Sequence, residues 1–531
     1  MIKKTNKKVK KSQKKLVEDN VVQASKIDKF LSDKHNVTLI GILLLGAYIR
    51  FKYLFVNQAL WMDAAVYLTK AQQLAFDLPE IGWTSWGSYR PMLFPYLASF
   101  LYKLGATETT FRFIEFIISF STIILVYLFA KKLFNKNIAL ASAALFSSFY
   151  LHIFFTARIL LDVPATFFVL LIYYLFWIGY FEEKTKYLYA SGVALGLGYL
   201  TYNTVLFSVI PLGLIVLIKE KTKAFTNIKN YIAGLFFLLP LIPYMIYNYV
   251  KYGNPLEWFI AGQKIAGGAF SGYEIGIMPF VNYIPYSFLN IGIFILFLCS
   301  LIYLALYVHK FPERNNYFYL LFSSTTLFLS MIVLIKHFEP RYLMPLYPFF
   351  FIILALGIEY IGKNVFVYSN KNIGNSIMII LVCLTMYYQF SFADELIKSK
   401  HDSFKEIAEG GLWIKEHSEK GDVIFGKSGV MDVYYSERRN IGVSHNKTLF
   451  EENLKIYRPK YLTLSVFEGE NPGWIMDYLQ KHNESIVPVK YYTTQQDGQE
   501  VPILIIYEFK YPIKLTEPSD LPPLLADFNN I

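Results

Sequence analysis

The stretch that decides the fold runs from residue 57 to residue 105, NQALWMDAAVYLTKAQQLAFDLPEIGWTSWGSYRPMLFPYLASFLYKLG. It lies between apolar runs near 37–56 and 111–130, with a short polar link to residue 110. In its first half Ala64, Tyr67, Leu68, Ala71, Leu74 and Ala75 recur at the spacing of one helical face. Asp63 stands directly before that face, where a carboxylate caps a first turn or points into a cleft. The second half opens on Tyr89-Arg90-Pro91, a proline suited to a first helical turn, and stays apolar to Leu104. Two helices on a membrane surface, with a carboxylate and an arginine between them, make a site rather than a linker.

Working outward, the 531 residues are 54% hydrophobic, 18% aromatic and only 17% charged, with a mean hydropathy of +0.35. Soluble chains carry about a quarter charged residues. Apolar runs of about 20 residues recur from residue 37 to residue 393, which reads as a multi-pass α-helical membrane protein in a lipid bilayer. Eleven spans are expected, near 37–56, 111–130, 138–156, 162–181, 187–201, 204–218, 230–250, 283–308, 317–336, 343–361 and 374–393. The net charge of +11 comes mostly from the lysine-rich start and short basic loops, so it reports topology and calls for no nucleic-acid partner. Cys299 and Cys383 both fall in apolar spans, which leaves no disulfide framework or thiolate metal site.

Residues 1–36 carry Lys3, Lys4, Lys7, Lys8, Lys10, Lys11, Lys14 and Lys15 and read as a disordered cytoplasmic tail without a cleavable signal. With that tail inside, the inner loops collect Lys131, Lys132, Lys136, Lys184, Lys186, Lys219, Lys310, Arg314 and Lys363. An odd span count then places 394–531 outside a cell membrane. Its polar composition and alternating helix and strand signals suggest a small extracytoplasmic α/β domain. A helix is expected over Phe404–His417, strands near 421–425, 461–466, 486–491 and 501–509, and a helix near 474–482. Asn446-Lys447-Thr448 and Asn483-Glu484-Ser485 have the glycan-acceptor pattern, a common triplet.

The expected outer side holds the unusual residues. Arg158 and Asp162 are four apart at a membrane edge, where a charge serves a cavity or a local pair. Arg112 and Glu115, three apart, read first as a local pair. Residues 251–282 form a second long outer loop whose glycines match no phosphate loop. The run Lys336-His337-Phe338-Glu339-Pro340-Arg341-Tyr342-Leu343-Met344-Pro345 sets cations and a histidine at a helix start, a composition that suits an anionic head group or an interface anchor. A carboxylate serves as general base, and arginines stabilise a phosphate leaving group. These parts suggest group transfer from a lipid-linked phosphate. No Walker-type loop or inner Asp-x-Asp pair supports a soluble nucleotide donor.

Trp61-Met62-Asp63 with Tyr67 and Ala71, Tyr89-Arg90-Pro91, Arg112, Arg158 to Pro164 and Arg341 to Pro345, in that order and on that side, carry a resemblance. The chain resembles the membrane-embedded GT-C glycosyltransferases that include the dolichyl-phosphate-mannose–protein mannosyltransferases and the lipid A aminoarabinose transferase. The resemblance implies a GT-C transmembrane domain over 37–393, followed by the exterior domain over 394–531. It implies inverting transfer of a sugar from a polyprenyl-phosphate donor (dolichyl or undecaprenyl) to a protein, lipid or glycan acceptor. On that reading Asp63 is the base and Asp162 a second carboxylate. Arg158, Arg341, Arg90 and Lys336 hold the donor phosphate, and Tyr89, His337, Glu339 and Tyr342 line the site. Asp63-Ala64 replaces the Asp-Glu frequent in the family, so no obligatory metal is expected, although a divalent ion stays open. Trp413 lacks the neighbours of the Trp-Trp-Asp motif of oligosaccharyltransferases, which argues against en bloc oligosaccharide transfer. The competing readings are a transporter or flippase of lipid-linked substrates and a non-catalytic binder of lipid-linked sugar. No internal repeat supports transport.

Overall fold

The computed structural model describes residues 28–513, except 55, 57–58, 80–81, 83–85, 267, 269–273, 366–370, 467–470 and 497. The lysine-rich tail and most of the glycine run 267–272 therefore lie outside the described residues. Two compact units form. One takes the chain to residue 57 together with Gly87–His401, and the other takes Gln58–Trp86 together with Asp402–Ile531.

The first unit is a helical bundle. Among the described residues, nine helices are long and apolar enough to cross a membrane, and a tenth span results if Lys136–Ser147 and Tyr150–Thr156, bent by 56°, count as one. The expected span at 187–201 is the helix Thr185–Thr201, whose 17 residues reach only about 25 Å at 1.5 Å per residue. Its Gly192 and Gly196 sit against the backbone of Ile228–Leu238, where an added Cβ would lie 2.4 Å from the Ala233 carbonyl and 2.5 Å from that of Phe237. Small residues allow this approach, and the helix is not among the candidate spans.

The span expected at 283–308 starts later than the hydropathy suggested. Helix Met278–Ser287 ends first, Leu289 turns with φ of 60°, and Asn290 caps Ile291–Tyr307 by accepting from the amides of Gly292 and Ile293. Tyr347–Tyr360, apolar on every face, is buried from Tyr347 through Glu359 and forms the centre of the bundle. The last helix, Lys371–Ser399, runs beyond the expected boundary at 393.

The second unit is an α/β fold around a five-stranded mixed sheet, with strands β1 (Val423–Gly426), β2 (Arg439–Gly442), β3 (Tyr461–Ser465), β4 (Ile486–Gln496) and β5 (Gln499–Phe509). Their order is β2-β1-β3-β5-β4. The pairs β2–β1 and β1–β3 are parallel, whereas β3–β5 and β4–β5 are antiparallel. Phe425, Phe450, Leu462, Ile475 and Phe509 fill one core, and Ile414, Ile424 and Ile506 another. The expected helix over 404–417 is found as Lys405–His417, and the remaining expected elements occur, but β2 and the helices Val430–Ser436 and Lys447–Tyr457 were not anticipated.

The two helices of the first loop part company. Leu93–Lys103 keeps an amphipathic character, exposing Tyr96, Leu97 and Phe100, and belongs to the bundle. Its expected proline start is corrected: Pro91 precedes the helix, and Met92 is the N-cap. Met62–Phe76 is not a surface helix, because Thr69, Lys70 and Gln73 are buried along with its apolar face. It packs against Val430–Ser436 in the α/β unit. The entry to it is fixed there by the Leu60 amide, which donates to Tyr435 Oη at 2.7 Å.

Candidate active site

In the bundle, the short link between Arg314–Leu334 and the helical turn Pro340–Leu346 holds a polar cluster. Glu339 accepts two hydrogen bonds from Arg341, from Nε to Oε2 at 2.5 Å and from Nη2 to Oε1 at 3.1 Å. Tyr342 Oη donates to Glu339 Oε1 at 3.1 Å, and His337 Nε2 lies 3.1 Å from Tyr342 Oη. A carboxylate only accepts, so the phenol's single proton goes to Glu339 and His337 Nε2–H donates to the phenol. Burial lowers the His337 pKa; Glu339 opposes this and Arg341 adds to it. The neutral form of the imidazole is favoured.

The remaining edge of Arg341 faces a second element. Nη1 is 3.7 Å from Oδ2 of Asp162, a side chain that is 2% exposed. Asp162 opens the helix Asp162–Phe176, where a carboxylate is favoured by the helix dipole. Arg158 lies in the preceding turn, 3% exposed, with its guanidinium 4.0 Å above the Phe154 ring. Burial first, and the neighbouring Arg112 charge second, lower the Arg158 pKa to about 9, still charged at neutral pH. The structure therefore brings together Asp162, Arg341, Glu339, Tyr342 and His337, and buries Arg158 beside Arg112.

The other expected residues lie on other elements or at the edge of the link. Arg90 is half-buried over the Tyr89 ring at 5.2 Å. The carbonyls of Tyr89 and Arg90 accept from Asn203 Nδ2 at 2.8 Å and Tyr244 Oη at 3.0 Å, which anchors this turn to the bundle. Lys336 is exposed, and its carbonyl accepts from the Gly276 amide at 2.8 Å, while the Phe338 amide donates to the Glu274 carbonyl at 2.9 Å. The end of the segment 251–282 is thus stitched to the polar link. In the α/β unit, Asp63 is half-buried in the first turn of Met62–Phe76; Trp61 is the N-cap, so Asp63 does not cap the helix.

The local pair expected between Arg112 and Glu115 does not form. Arg112 instead donates to the Ala157 carbonyl at 2.5 Å and meets Glu108 at 3.4 Å. Glu115 is 2% exposed, with Oε2 lacking a hydrogen-bond partner among the described residues. A further buried cation, Arg50, was missed altogether. It donates to Ser119 Oγ at 2.6 Å and to the Ser147 carbonyl at 2.7 Å, and its Nη2 lies 3.1 Å from His152 Nδ1. An arginine inside an apolar span was the available signal. Among the described residues no group of three or more His, Cys, Asp or Glu side chains is placed to hold a metal.

A family model described as dolichyl-phosphate-mannose-protein mannosyltransferase matches residues 89–247. The fold is similar to that of ArnT from Cupriavidus metallidurans bound to undecaprenyl phosphate, with a TM-score of 0.64 and 11% identity over 88% of this chain and 97% of that one. It is also similar to the oligosaccharyltransferase AglB from Archaeoglobus fulgidus in complex with an inhibitory peptide and a dolichol-phosphate, with a TM-score of 0.62 and 12% identity over 92% and 75%. The likeness to these two structures is one of fold, a bundle of membrane-length apolar helices with an α/β unit. A relative from Aquifex aeolicus (strain VF5), described as an uncharacterized protein, is 29% identical over 321 residues. The match takes in 57% of this chain and 60% of that relative's length.

Proposed function

We propose that this protein is a glycosyltransferase that moves a sugar from a polyprenyl-phosphate donor to a protein, lipid or glycan acceptor on the outer face of the membrane, with inversion. The observation that carries the reading is the Glu339–Arg341–Asp162 arrangement. A guanidinium gripped on one edge and turned by its other edge toward a buried carboxylate is preorganised to receive a phosphate oxygen. A second buried guanidinium, Arg158, supplies further positive charge. In this reading the acceptor hydroxyl attacks the anomeric carbon, the sugar–phosphate C–O bond breaks, and the polyprenyl phosphate leaves with the bonding electrons. Asp63 takes the hydroxyl proton. Asp162 orients the reacting sugar or acceptor, while Arg341 and Arg158, with Arg90 and Lys336, hold the departing phosphate. Tyr89, His337, Glu339 and Tyr342 line the site. The N-terminus is cytoplasmic and the α/β unit extracytoplasmic.

The similarity in fold to proteins bound to undecaprenyl phosphate and dolichol-phosphate supports the donor class. The test is reconstitution of the purified protein with undecaprenyl- or dolichyl-phosphate-linked sugars and a membrane extract as acceptor, with release of free polyprenyl phosphate measured. Asp63→Asn is expected to abolish release. Unchanged turnover in that variant would discard the base assignment, and no release from any donor by the wild type would discard the reading.

A further inference from the structure

We propose that the bundle holds an anionic phospholipid in a cleft at the far end of its central helix, remote from the Arg341 cluster. The cleft has a volume of about 370 Å³ and lies between Ile291–Tyr307, Arg314–Leu334 and Tyr347–Tyr360. Leu296, Leu304 and Leu356 give it an apolar wall, and Tyr303, Phe311 and Tyr360 an aromatic one. Arg341 precedes the central helix, whereas the cleft is lined from Leu356 to Lys363, at the helix's other end. Fourteen helical residues, at 1.5 Å each, separate the two by about 20 Å. The cleft is therefore a site of its own and does not depend on the proposed reaction.

Charge at the mouth selects the head group. Lys363 Nζ pairs with Glu359 Oε1 at 2.8 Å, and Asn135 Nδ2 also donates to that oxygen at 3.1 Å, so this carboxylate is already compensated. Lys310 Nζ lies 4.8 Å above the Tyr307 ring, which packs on Tyr303 of the cleft wall. Arg314 is exposed three residues beyond Phe311, and neither Lys310 nor Arg314 has an ion pair among the described residues. Lys219 adds a further cation, donating to the neutral Asn315 at 2.8 Å. Lys310, Arg314 and Lys363 thus stand against Glu313 and Glu359, while Lys219 is offset by the adjacent Glu220. An acyl chain in the apolar cleft with a phosphate at Lys310 and Arg314 satisfies both parts, whereas a zwitterionic head group brings its own cation into a positive field. The positive-inside reading of the sequence puts this end in the cytoplasmic leaflet.

The test is native mass spectrometry of the full-length protein released from nanodiscs of equal phosphatidylglycerol and phosphatidylcholine. Retention of phosphatidylglycerol over phosphatidylcholine is expected. Lys310→Ala and Arg314→Ala, both at exposed positions, should each weaken that preference about five-fold. Cys299→Trp, which fills the cleft from an exposed position, should lower retention of both lipids. Equal retention of the two lipids by the wild type would overturn the proposal. So would an unchanged preference when Lys310→Ala and Arg314→Ala are combined, or unchanged retention in Cys299→Trp, provided thermal unfolding shows the variants to be folded.

Discussion

Glu339 holds Arg341 through two hydrogen bonds on one edge of its guanidinium while leaving Nη1 3.7 Å from Asp162. The two residues are separated by a proline, and the short polar link brings carboxylate and cation onto one side. In the proposed reaction this pairing sets the direction from which Arg341 meets the phosphate, because a guanidinium fixed on one edge offers its remaining donors in a single direction.

Arg341→Lys keeps the charge and loses the fork. A lysine cannot satisfy both Glu339 oxygens and still present a donor to the site. The expected result is a loss of kcat/KM of about 100-fold in polyprenyl-phosphate release, the size seen when one transition-state donor is removed.

Glu339→Gln removes the charge that orients Arg341 but leaves the guanidinium in place. About a tenfold fall in kcat/KM is expected, corresponding to one charge-assisted hydrogen bond. Because Glu339 acts through Arg341, the double variant with Arg341→Lys should be little worse than Arg341→Lys alone. Multiplicative losses in that cycle would show that the two act independently.

His337 sets a pH dependence. Burial depresses its folded-state pKa below the ordinary 6.5. The unfolded chain therefore binds more protons as pH drops, and the His337 contribution is intact above pH 6.5 and is lost as pH falls through the folded pKa. Melting temperature followed from pH 7.5 to pH 5 should decline less steeply in His337→Gln than in the wild type. Parallel curves would rule this out.

Ser119→Ala tests the buried arginine. Ser119 Oγ accepts from Arg50 Nε at 2.6 Å and is 2.8 Å from Thr156 Oγ1. Loss of a buried acceptor to a charged donor is expected to cost about 1.5–3 kcal/mol, read as a lower midpoint of unfolding in detergent. A midpoint equal to that of the wild type would show that water replaces the hydroxyl.

Gly411→Ala probes the α/β unit. An added Cβ would lie 2.5 Å from Tyr435 Cβ and 3.2 Å from the Ser436 amide, so the helices Lys405–His417 and Val430–Ser436 must separate. About 1–3 kcal/mol of destabilisation is expected, measured by thermal unfolding. The strain is local to the unit.

Hydropathy by itself located most of the spans and the α/β region. A transmembrane helix must satisfy its own backbone within about 20 apolar residues, and that demand is written in consecutive positions. The same local rule explains the misplaced start of the span at 291: an asparagine cap and a turn at Leu289 interrupt a run that hydropathy reads as continuous. Strand β2, Arg439-Asn440-Ile441-Gly442, escaped because four residues with one large apolar side chain carry no alternation. Tertiary structure decided the rest. Arg341 meets Asp162 across nearly 180 residues, Glu115 is left without its expected neighbour, and Met62–Phe76 packs against Val430–Ser436 within the α/β unit. Charge pairing and burial depend on distance in space, and the spacing of residues along a chain records only the neighbours within a turn or two.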